Sequence, residues 1–182
     1  MKIGIIIGSV REGRKGAKVA EWVEKSAADR DADYTLIDLA EFDVPVLDWA
    51  KVPGAAKKQY EDEKVKAWSA AVDACDGYVF VTPEYNHSVP GGLKNAVDWL
   101  GPEWTGKALG LVSYGAESGV RAVEHWRQIM ANFSMMVVRG QVSMSTFLEW
   151  DGDTFLPNER RPQELTTLFE QLEKAVRRQQ AE

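Results

Sequence analysis

An α/β fold, with a five-stranded parallel sheet sandwiched between helices, is what this 182-residue chain predicts. Three observations carry the expectation. Five short apolar runs recur at Met1–Ile7, Tyr34–Leu39, Gly77–Val81, Ala108–Ser113 and Met135–Val142. Continuous runs of this kind suit parallel strands buried on both faces. The segments between and after them repeat apolar residues at helical spacing. The turns that follow the first, third and fourth runs are rich in glycine, proline and polar side chains. Strand alternating with helix calls for a parallel sheet joined by right-handed crossovers.

The first run ends in Gly8-Ser9-Val10-Arg11-Glu12-Gly13-Arg14-Lys15-Gly16, and a helix with Val19, Ala20, Val23 and Ala27 on one face follows. A small-residue loop at a helix N-terminus offers free N–H groups and the positive end of the dipole to an anion. Its pattern is neither a Walker loop nor GxGxxG, which favours a mononucleotide phosphate. The second run leads into residues 40–57, which hold prolines and scattered apolar residues without a period and read as an ordered surface loop. Val65, Trp68, Val72 and Cys75 mark the next helix. The third run opens into Thr82–Gly92, a stiff loop with two prolines and a glycine pair, followed by the helix stripe Leu93, Ala96, Val97, Leu100. Trp99 and Trp104 fall off that stripe and are expected at a subunit contact. The fourth run ends in Tyr114–Gly119, and Ala122, Trp126, Ile129, Met130 and Phe133 form a further helix. After the fifth run, Phe147–Trp150 and Thr154–Leu156 flank Asp151-Gly152-Asp153 and predict a small hairpin. Leu165, Leu168, Phe169, Leu172 and Val176 close the chain as an amphipathic helix.

Length suits one domain, 1–182. A net charge of −6, with acids and bases interspersed, argues against nucleic acid and favours a small-molecule partner. No run approaches a membrane span, and the chain opens in a strand and not in a signal sequence, so a cytoplasmic location is expected. One cysteine, Cys75, excludes an internal disulfide or a metal cluster and is expected in the core. Five strands fit the flavodoxin-like order 2-1-3-4-5, in which the loops after the first, third and fourth strands converge on one crevice.

Gly8-Ser9-Val10-Arg11, Pro83-Glu84-Tyr85-Asn86, and Ser113-Tyr114-Gly115 followed by Ser118-Gly119 and Arg121-Ala122 together resemble the NADPH-dependent FMN reductase family, from Met1 to about Val142. The resemblance implies non-covalently bound FMN, NADPH or NADH as hydride donor, a small-molecule electron acceptor, and a homodimer or dimer of dimers. It implies that Ser9 and Arg11 bind the FMN phosphate, that Pro83–Asn86 present N–H groups to the isoalloxazine edge, and that Ser113–Gly115 line the other side of the ring. Many members carry Ser and then Asn where this chain has Arg14 and Gly16. It is similar to the subgroup with Arg there, and Arg14 faces either the phosphate or the incoming NADPH. Because hydride chemistry belongs to the flavin, no catalytic acid is required; His87 reads as a polar loop residue and His125 as a surface or packing residue. The alternative to a reductase is an FMN-binding electron carrier without nicotinamide turnover, against which Arg11 and Arg14 weigh.

Overall fold

The computed structural model describes residues 1–181. Five parallel strands, β1 (Lys2–Ile7), β2 (Asp33–Asp38), β3 (Gly77–Pro83), β4 (Ala108–Gly115) and β5 (Met136–Ser145), form one sheet in the order β2-β1-β3-β4-β5. The predicted order is therefore the observed one. Alternation along each strand divides the core in two. Ile3, Ile5 and Ile7 of β1, with Val79, Val81 and Val112, face α1 (Gly16–Ser26) and α5 (Arg161–Gln179). Ile6, Tyr78, Phe80, Leu109 and Leu111 face α2 (Glu63–Asp73), α3 (Gly91–Asp98) and α4 (Val120–Ala131). Each fully buried Val, Leu or Ile contributes about 1.5–3 kcal/mol.

The predicted helix stripes are the buried faces: Val19, Ala20 and Val23 of α1, Val65, Trp68 and Val72 of α2, Leu165, Leu168, Phe169, Leu172 and Val176 of α5. Cys75 is 2% exposed, as expected, and burial pushes its thiol pKa up. The expectation for Trp99 and Trp104 fails. They are 4% and 0% exposed and belong to the α2–α3–α4 side of the core. Residues 40–57 fold back over α3, so that Trp99 stacks on Trp49 at 6.1 Å and its Nε1–H donates to Pro45 O at 2.7 Å. Trp104 packs against Trp68, Tyr78 and Phe80 and donates to Val97 O.

The predicted hairpin is present but short, β6 (Trp150–Asp151) against β7 (Thr154–Phe155). A buried ion pair between Glu149 and Arg161, 2.7 Å apart, ties its base to the start of α5. The hairpin leans on α1: Lys15 Nζ donates to Gly152 O, Lys18 Nζ to Asp153 O, and Trp22 meets Phe155 edge-on. One irregularity interrupts β5. From the pair Leu109–Val137 to the pair Leu111–Gln141, β4 advances two residues while β5 advances four, a bulge at Val138–Gly140. No helix among the described residues is long and apolar enough to cross a membrane.

Candidate functional site

Three loops meet above the carboxyl ends of β1, β3 and β4, enclosing a cleft of about 340 Å3. The first runs from Gly8 into α1. Gly8 N–H is bonded to Val81 O, and the next backbone donor with a carbonyl partner is Val19, to Lys15 O. Among the described residues, the N–H groups from Ser9 to Lys18 make no backbone bond, and only Arg11 N has a side-chain partner, Ser9 Oγ at 3.5 Å. α1 starts without a side-chain cap and without an acid in its first turn. A row of unpaired donors at a helix N-terminus is an anion site in waiting. The charged side chains match it. Arg11 makes no ion pair among the described residues and lies 5.6 Å over the Tyr85 ring. Arg14 and Lys15 also line the cleft. Arg14 pairs with Asp38 at the end of β2, while its Nε is buried without a partner.

The second loop leaves β3 at Pro83. Proline brings no N–H, Glu84 N–H donates to Tyr114 O at 3.0 Å, and Tyr85 N–H to Ser88 O at 3.0 Å. Tyr85 and Ser88 bracket a two-residue turn whose centre, Asn86 (φ 48°) and His87 (φ 72°), is left-handed at both positions, as a type I′ hairpin turn requires. Asn86 and His87 N–H groups have no partner among the described residues. The Glu84 carboxylate is not free for a ligand. It accepts from Arg121 N at 3.1 Å and Arg121 Nε at 2.5 Å, capping α4 with its side chain 6% exposed. Removing Arg121 would leave a buried carboxylate without its partner, which is destabilising.

The third loop needs Gly119. At φ 73° it caps α4, and a Cβ there would lie 2.8 Å from Ser113 Cβ and 2.9 Å from Tyr114 N. Ser113 is fully buried, its hydroxyl donating to Ser118 O at 2.8 Å. Tyr114 turns towards α1. Its Oη is buried without a well-formed hydrogen bond, in weak contact with Ser9 and next to Gly16, where a Cβ would lie 2.6 Å from it. Burial raises the phenol pKa above its ordinary value, so the group stays a neutral donor at every working pH.

Residues 1–149 match the family model described as NADPH-dependent FMN reductase. The chain belongs to this family. Over 126 residues it is 44% identical to an NAD(P)H-dependent FMN reductase of a Nectria species, covering 66% of this chain and 63% of that one; the chain thus spans under two thirds of that relative's length. A quinone reductase of Escherichia coli is 35% identical over 147 residues, 76% of this chain and 73% of the other. Among solved structures, the flavoenzyme NAD(P)H:(acceptor) oxidoreductase FerB from Paracoccus denitrificans superposes with a TM-score of 0.72 at 19% identity, over 96% of this chain and 98% of the other, which concerns the fold.

Of the residues that the family resemblance singled out, Ser9, Arg11, Arg14, Pro83, Glu84, Tyr85, Tyr114 and Gly115 line the cleft together. Gly16, Asn86 and Ser113 do not. Gly16 sits behind Tyr114, Asn86 stands out at the turn, and Ser113 lies beneath the loop. Glu12, Gly13, Lys15, Ala116 and Thr146 also line it. Lys15 was legible as part of the basic loop, whereas Thr146 reaches the cleft through its N–H bond to Gly115 O, a contact without a local sequence signal. The FMN of this family fits these residues. A terminal phosphate matches the unpaired N–H row and three cations, and the unpartnered Tyr114 hydroxyl and Arg14 Nε would gain acceptors. No group of three or more His, Cys, Asp or Glu side chains able to hold a metal ion is found among the described residues.

Proposed function

We propose that this protein is an NAD(P)H-dependent FMN oxidoreductase that reduces a small-molecule acceptor such as a quinone, an azo compound or a free flavin. The observation that carries the reading is the unpaired N–H row, Ser9 to Lys18, opening beside Arg11, Arg14 and Lys15 into one cleft whose far wall is Pro83–Tyr85. Ser9, Arg11, Arg14, Lys15 and the turn into Gly16 hold the phosphate. Pro83–Tyr85 form the wall on the β3 side, the free N–H groups of Asn86 and His87, in the turn that continues from Tyr85 outside the cleft lining, would reach the ring edge, and Tyr114 and Gly115, braced by Ser113, close the β4 side. Bound FMN supplies the redox chemistry, acceptance of a hydride from NADPH or NADH and delivery of an electron pair to the acceptor.

The chain's own residues bind and orient. Glu84, committed to Arg121, shapes the loop and leaves proton exchange to solvent. Tyr114, kept neutral by burial, donates a hydrogen bond and does not carry a charge into the site. A homodimer or dimer of dimers in the cytoplasm completes the reading. Phe147 and Leu148, 78% and 84% exposed beside Thr146 at the cleft rim, support a subunit contact there in place of Trp99 and Trp104. The test is an anaerobic titration of the FMN-loaded protein with NADPH and with NADH. Stoichiometric bleaching of the flavin, reversed by a quinone, is expected. A protein that holds FMN but does not bleach would be an electron carrier, and one that takes up no FMN would end the proposal.

A further inference from the structure

α4 meets the loop after β3 at two points one helical turn apart. Glu84 holds Arg121, and four residues further along both segments Ser88 Oγ lies 2.8 Å from His125 Nδ1. Residues 121 and 125 stand above one another on one helix face, so the two contacts act as parallel clamps. Between the clamps lies the turn that carries the free Asn86 and His87 N–H groups. Positive φ is uncommon outside glycine, and although asparagine and histidine adopt it more readily than most residues, two in succession, φ 48° at Asn86 and 72° at His87, make a turn that gains from being held by its surroundings. Asn86 and His87 are exposed, with no core packing over them. The turn is held by its own pair of backbone bonds and, at its far end, by Ser88. α4 is itself firmly seated, since Trp126 is buried and donates from Nε1 to Thr82 Oγ1 at 3.0 Å.

We propose that His125, acting through Ser88, is a positioning residue that fixes the orientation of the Asn86–His87 donors. The proposal rests on the reading of the cleft as an FMN site for its effect on flavin, though not for the clamp itself. The imidazole would touch neither the flavin nor the substrate.

Three variants test it. His125→Phe and Ser88→Ala break the contact, and Ser88→Ala removes only a half-buried hydroxyl and leaves the fold intact; His125→Asn keeps an acceptor close to the Nδ1 position. In flavin-free protein, hydrogen exchange at the Tyr85 and Ser88 amides should speed up about three- to tenfold in the first two, the factor belonging to one neutral hydrogen bond, and return towards wild type in the third. With flavin, FMN and riboflavin should be weakened by the same factor, because the ring edge is common to both. The flavin midpoint potential should move in His125→Phe and recover in His125→Asn. Unchanged exchange at both amides in both broken variants would overturn the proposal, as would a loss falling on FMN alone. If the wild-type protein bound no flavin, the reading of the cleft would fall, and the exchange measurement would still decide the clamp.

Discussion

Tyr114 and Gly16 form a contact whose energetics can be worked out in both directions. The Tyr114 hydroxyl is buried with no well-formed hydrogen bond, only weak contacts to Ser9 and the Gly16 backbone, a state that costs at most about 1–3 kcal/mol. Tyr114→Phe should therefore stabilise the flavin-free protein by about 1 kcal/mol, roughly 2–4 °C in Tm at this size. Gly16→Ala alone puts a Cβ 2.6 Å from that hydroxyl oxygen, forcing a buried ring to move. Overpacking of this kind costs about 1–3 kcal/mol, and alanine at the first position of α1 returns less than the roughly 0.5–1 kcal/mol it is worth in a helix interior. In the Tyr114→Phe background the nearest ring atom lies at 3.3 Å, a gap that a small adjustment accommodates, and the helix gain should emerge. The two substitutions should thus be coupled by about 1–3 kcal/mol. Urea unfolding of the wild type, both single variants and the double variant, all flavin-free, measures this. A Gly16→Ala cost that is the same in both backgrounds would refute the reasoning, and so would a Tyr114→Phe variant clearly less stable than wild type.

Arg11→Ala should weaken FMN by about 1.5–3 kcal/mol, the worth of a charge-assisted contact, and leave riboflavin untouched; fluorescence titration with both flavins checks this. Trp99→Glu should unfold the protein and not merely dissociate it, since it removes a buried indole at a cost of about 3–5 kcal/mol before the charge is counted; a folded variant with an unchanged melting curve would contradict the packing. Glu173 is pushed up by burial but pulled down further by Arg30 and Tyr34, so its net shift is below the ordinary carboxylate value. Its contribution is present above the unfolded pKa and lost as pH falls through the folded one, below about pH 4.5. In Arg30→Ala the largest opposing partner is gone while Tyr34 and Arg177 remain, so the acid loss should shrink; urea midpoints across pH 3–7 should show it in wild type and less of it in the variant.

The sheet was legible because its strands carry their own evidence. Met1–Ile7 and Gly77–Val81 are apolar throughout, as central parallel strands must be, and the polar loops that end them mark the switch point. Ser9, Arg11 and Tyr85 were legible by residue type in those loops. Trp99 was not, because it lies off the stripe that runs to Leu100, just past the end of α3 at Asp98, and the segment that covers the ring comes from residues 45–49, which no local pattern reveals. The Asn86–His87 turn lacks the glycine that ordinarily announces type I′ geometry. Ser88 and His125 are 37 residues apart, and only the seating of α4 beside β3 brings them together.

The bulge in β5 bears on how the protein behaves in a crowd. β5 is the last strand of the sheet, and the outer edge of such a strand is a template on which another chain can pair and start an aggregate. Here two additional residues put Met136–Val137 and Gln141–Ser145 out of step with each other, so a straight foreign strand could not follow both. Three of the backbone groups within the bulge are occupied from inside the molecule. Arg127 donates to Val138 O at 2.8 Å and Arg139 O at 3.3 Å, and Gly140 N–H donates to Gln171 Oε1 at 2.7 Å. Arg127→Ala would unblock those carbonyls without touching the cleft above β1, β3 and β4, and the cost would fall on solubility at high concentration and long storage before it fell on turnover.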